Sequence, residues 1–206
     1  MIAAGSLEYA LSRMQSRLSR RPSEGTWAAI EEARALVPLY DAARGTSLEL
    51  LLQAIPPQPD LPAVDRAARA TWTRVVAEAR AWMPPEWIPA LAWCDSPKSG
   101  SSHPTVLPSL GHPEWRRRWP AGADDGGLTE VARLFAAHLA RFRLALPHEA
   151  NALRRGFEAS LVALFRRRPV QAAAAFAWLA IAALDIERMR GEIERRIAFP
   201  EARIAT

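Results

Sequence analysis

Residues 172 to 196, AAAAFAWLAIAALDIERMRGEIERR, set the most apolar run of the chain directly against one of its most charged. No proline separates the halves, so both belong to one helix. Such a helix is either a membrane anchor with a charged arm, a core helix that emerges into solvent, or a surface made for a partner. The apolar part, residues 170 to 184, is 15 residues long. At about 1.5 Å per residue it reaches roughly 22 Å, short of the roughly 30 Å of hydrocarbon in a bilayer. Its many alanines are also only weakly apolar on a transfer scale. The stretch therefore predicts a buried helix whose second half keeps a single packing stripe, Ile186, Met189, Ile193 and Ile197.

The rest of the chain repeats that periodicity. Leu7, Leu11, Met14 and Leu18 form one stripe, and Ser23 is placed to cap a second helix carrying Trp27, Ile30 and Leu36 before Pro38. Thr46 and Glu49 have capping-box spacing ahead of LLLQAI. PPQPD at 56 to 60 forbids helix, and Pro62 then suits the first turn of a long helix through Val64, Trp72, Val75, Ala79 and Trp82. Helices are predicted over 128 to 146, over 148 to 167, and from Pro169 to about Ile197. No run alternates with period two. The expected fold is thus all-α, an irregular bundle of about six to eight amphipathic helices with a long C-terminal helix. It falls into an N-terminal lobe (1–93), a loop rich in Pro, Gly and Ser (94–127) and a C-terminal lobe (128–206).

Positive charge hints at acidic partners, since 27 Lys and Arg face 22 Asp and Glu, a net of +5. All but Lys98 are arginine, which together with abundant alanine and proline looks like GC-rich coding. Many arginines also follow glutamates at helical spacing, Glu187 with Arg190 and Glu192 with Arg196, the pattern of a solvated face. Cys94 is the single cysteine, so no internal disulfide or cysteine-built zinc site forms, and a reducing compartment is expected. The first residues lack the basic and apolar blocks of a secretory signal.

Catalytic constellations are missing from the sequence. His103, His112, His138 and His148 are scattered, and His148 beside Glu149 points elsewhere on a helix. GADDGG lacks the lysine and strand of a phosphate loop. Neither a cofactor nor a small-molecule substrate is expected. The best case for nucleic acid is a patch of Trp115, Arg116, Arg117, Arg118 and Trp119, in which arginine would meet phosphate and tryptophan would stack on bases. The competing expectation is that the tryptophans pack on the body. FRRRP at 165 to 169 is expected to end a helix. Trp27, Trp72, Trp82 and Trp178 are expected in the core, and Trp87 and Trp93 against a proline-rich turn.

FAWLAIAALDIERMRGEIERR resembles the C-terminal signature of the C/d family of V-type ATPase subunits, the d type being the eukaryotic one. Asp185, Ile186, Met189 and Arg190 take the motif places, and Tyr9, Arg13 and Met14 match the family's N-terminal pattern. PSEGTWAAIEEARALVPLYDAARGTSLELLLQAI is similar to its second segment. The likeness covers about the first 55 residues and the last 35, with Arg188 where the family has asparagine and Ser12 where it has alanine. It implies an abbreviated member of that family: a non-enzymatic, cytoplasmic protein that can sit peripherally on the inner face of the membrane. Such a protein couples the central stalk to the proteolipid ring in proton or sodium transport, with the seven motif residues as partner contacts. The alternative is a helical nucleic-acid-binding or general interaction module using the Arg/Trp patch, with nucleic acid the less expected partner.

Overall fold

A computed structural model describes residues 6–95, 107, 109–123, 126–146 and 148–199. Every regular element among them is helical: α1 (Leu7–Leu18), α2 (Glu24–Glu32), α3 (Leu36–Ala43), α4 (Glu49–Ala54), α5 (Leu61–Trp82), a 3₁₀ turn (Pro85–Trp87), α6 (Ile88–Asp95), α7 (Pro113–Arg116), α8 (Gly127–Leu144), α9 (Ala150–Arg167) and α10 (Ala172–Ala198). The protein is all-α. Ten helices stand among the described residues where six to eight were expected, because several are one or two turns long and too short to show a period.

Helix starts follow the chemistry of the sequence. Ser23 accepts from the Thr26 amide and Asp60 from the Ala63 amide, with Pro62 in the first turn of α5. Two expectations are corrected. Pro38 does not break the second helix, which ends at Glu32; it sits in the first turn of α3, where its missing N–H costs no bond. Thr46 forms no capping box, because Leu48 is the N-cap of α4; its hydroxyl instead donates to Ala43 O and accepts from the Leu48 amide, stapling α3 to α4.

α10 is the axis of the molecule. It starts at Ala172, not at Pro169, because Val170 adopts φ 64, a left-handed turn strained for a β-branched residue. Its 27 residues run about 40 Å at helical rise. Every residue from Ala172 to Ile181 is buried; beyond that a stripe of Asp185, Ile186, Met189, Ile193 and Arg196 stays inside. Small alanines let α9, α5, α8 and α1 all pack on this one helix. Consequently the two expected lobes share one core, a single cluster running from Met14 and Trp72 to Phe135, Leu164 and Ile193. Trp27, Trp72, Trp82 and Trp178 lie in it, and Trp87 joins them with its ring edge on Phe176.

Arg196 departs from the solvated face expected for it. Its guanidinium donates to the carbonyls of Ile30, Glu31 and Ala33, which leave the C-terminal end of α2 unpaired, and pairs with Glu192 at 2.7 Å. A cation buried at a helix C-terminus is satisfied both by those carbonyls and by the helix dipole.

Candidate functional site

Where α1 runs into α2, Arg21 reaches inward to α10. Its Nε and Nη2 donate to both oxygens of Asp185 at 2.6 and 2.7 Å, and Nη2 lies 2.7 Å from Glu158 on α9. One guanidinium between two carboxylates thus ties the α1–α2 junction to the consecutive helices α9 and α10 at the far end of the chain. Burial pushes the Asp185 carboxyl up, against the hydrogen bonds and charge of Arg21, and Glu158 adds to the rise. Burial opposes the Arg21 cation, but Asp185 and Glu158 outweigh it and keep the guanidinium charged. Beside this junction lies a cavity of about 60 Å³ between α1, α5 and α10, bordered by Arg17, Thr71, Glu78 and Trp178. Glu78 closes it by accepting two hydrogen bonds from Arg17.

Of the seven family-like positions only Asp185 belongs to this ion pair, and the others are spread along α1 and α10. Met14, Asp185, Ile186 and Met189 are buried, and Arg190 is held by Glu187 and by Asp65 of α5. Tyr9 is half-buried, and exposed Arg13 lies over the Trp82 ring at 5.5 Å. Four of the seven, Met14, Asp185, Ile186 and Met189, thus pack inside the chain, and Arg190 is half-buried. Tyr9 and Arg13 keep some exposure.

The five residues of the Arg/Trp patch differ in exposure. Trp115 is fully buried, edge-on to Phe176 and to Trp119, so it presents no face for a base, while Trp119 is half-buried. Arg116, Arg117 and Arg118 remain exposed, Arg117 paired with Glu114 and Arg118 over Trp93.

A larger groove, about 650 Å³, opens between α8, α9 and α10. Periodicity puts Leu139 and Phe142 on the apolar side of α8 but does not show that the three helices leave a gap there. Leu139, Phe142 and Leu184 form its apolar part; Arg154, Arg155 and Arg188 rim it beside Glu31, Glu158 and Glu187. Those three glutamates are already engaged, Glu31 by Arg188, Glu158 by Arg21 and Glu187 by Arg190. His138 is stacked on Phe157 at 4.2 Å, and burial, then the charge of Arg154, lowers its pKa. A base with a lowered folded pKa binds fewer protons folded than unfolded, so stability falls as pH drops through the ordinary histidine range. Thermal melts should show that loss, and His138→Phe, which keeps the stack, should flatten it. Equal pH slopes in both proteins would remove His138 as the cause.

No cluster of three or more metal-ligating side chains occurs among the described residues, and no helix there is long and apolar enough to cross a membrane. His103, Asp124 and Asp125 lie outside the described residues. Compared with protein-family models, with curated proteins and with solved structures, the chain matches none.

Proposed function

We propose that this chain is a non-catalytic part of a V-type rotary ATPase, an abbreviated relative of the C/d family, coupling the central stalk to the membrane rotor ring. One observation supports the reading most. The two segments that resemble the family lie at opposite ends of the chain, yet α1 packs on α10, and the Arg21–Asp185 pair ties the α1–α2 junction to α10. A resemblance at both ends of a chain gains weight when those ends form one structural unit.

The proposed mechanism is mechanical. A helix about 40 Å long, gripped by four others, makes a stiff strut that transmits force by shape. The partners would be the proteolipid ring and the central stalk, and the place the cytoplasmic face of the membrane. Affinity purification of the tagged chain from its own cells is the test. Recovery of ring or stalk proteins is expected; their absence at low salt and in mild detergent would sink the proposal. The nucleic-acid alternative loses support, because enclosed Trp115 cannot stack on a base.

A further inference from the structure

We propose that the outer face of the α8–α9 hairpin docks on an anionic lipid surface. Residues 127 to 168 contain eight arginines and three glutamates, a net charge of +5 that equals that of the whole chain. The rest of the protein is therefore neutral overall, and its positive charge is concentrated in one hairpin. The hairpin's three carboxylates are each already engaged, and only two of its arginines, Arg167 and Arg168, are paired by one of them. Glu130 holds Arg167 and Arg168, Glu149 accepts from the Leu146 amide, and Glu158 holds Arg21. Arg133, Arg141, Arg143 and Arg166 are exposed and form no ion pair among the described residues, and Arg155, also exposed, stands at the rim of the groove.

Apolar exposure coincides with this charge. At the turn between the helices Leu144 is 88% and Leu146 57% exposed. Arg141, Arg143, Arg154 and Arg155 surround that turn in sequence on both sides. Farther along, exposed Ala137, Ala140, Ala159 and Ala163 keep the face low between the arginines. A protein partner is recognised through aromatic anchors as well as charge, and the exposed residues of this face are arginine, alanine and leucine. A lipid surface needs no such anchors. It asks for cations at headgroup level and a few aliphatic side chains to enter the acyl boundary, which this end of the hairpin supplies.

The inference goes beyond the rotary ATPase reading and does not depend on it, since it concerns the isolated chain and lipid. The full-length protein is sedimented with vesicles of phosphatidylcholine alone or with added phosphatidylglycerol. Binding is expected only with the anionic lipid, and should weaken as salt is raised. Arg141→Gln/Arg143→Gln/Arg155→Gln should bind on the order of a hundredfold more weakly, about fivefold per arginine. Leu144→Ser/Leu146→Ser should bind about tenfold more weakly and keep the salt dependence. Arg116→Gln/Arg117→Gln, exposed arginines elsewhere, should bind as the parent does. All these side chains are exposed, so circular dichroism should be unchanged. Equal binding to both vesicles, no binding to either, or equal losses for the hairpin and Arg116/Arg117 variants would overturn the proposal. So would tighter binding to polyglutamate than to anionic vesicles, which would assign the face to an acidic protein. Failure to recover ATPase components from cells leaves every one of these outcomes readable.

Discussion

Arg21→Met should destabilise the protein by about 3–5 kcal/mol at neutral pH, measured by urea unfolding. The substitution leaves Asp185, 4% exposed, and Glu158 beside it with no cation between them. The penalty is that of a buried carboxylate without a partner. It is not the strength of the pair itself, which desolvation largely cancels. Arg21→Met/Asp185→Leu should accordingly recover most of the lost stability, because it removes both buried charges and leaves Glu158 free to turn toward the groove. A double variant as unstable as the single one would show that the junction is not held by charge.

The same variant carries a pH signature. Burial already pushes the Asp185 carboxyl up, and removing Arg21 takes away the strongest force pulling it down. A carboxyl with a raised folded pKa binds more protons folded than unfolded, so stability falls as pH rises from the ordinary carboxylate value to the raised one. The deficit of Arg21→Met relative to the parent should therefore shrink as the solution is made mildly acidic. A constant deficit would mean that lost packing of the arginine stem is the main effect.

The long helices were legible because each carries an apolar stripe at helical spacing, and α1, α5, α8, α9 and α10 all do. Asp185 was legible in part. It lies between Ile181 and Met189 on the inward stripe of α10, four residues from each, and a carboxylate in that position requires a cation. Spacing cannot choose which arginine supplies it, because the answer, Arg21, is 164 positions away. Arg196 fails for a similar reason. Its pairing with Glu192 is local and visible in the sequence, while the α2 carbonyls that bury it come from the other end of the chain. The groove between α8, α9 and α10 was illegible because a concavity arises from how three helices splay, which no single helix encodes.

Trp115→Ala should cost about 3–5 kcal/mol, an effect as large as that of Arg21→Met. Trp115 was a candidate for stacking on bases, yet its ring is fully enclosed, centred 5.0 Å from Phe176 of α10 and 4.9 Å from Trp119. It anchors the short α7 and its flanking turns to the central helix, so its removal leaves a cavity that the rigid alanine-rich wall of α10 cannot collapse to fill. Its indole N–H has no hydrogen-bond partner, so Trp115→Phe forfeits only volume and should lose less than half as much. Arg116→Gln/Arg117→Gln should leave stability within about 0.5 kcal/mol, both side chains being exposed. Chemical denaturation of the three variants separates the two roles proposed for one short segment. A stable Trp115→Ala protein that has lost affinity for single-stranded nucleic acid would return the patch to a binding role. An unstable one, with no such affinity in the parent at low salt, makes it a wedge of the core.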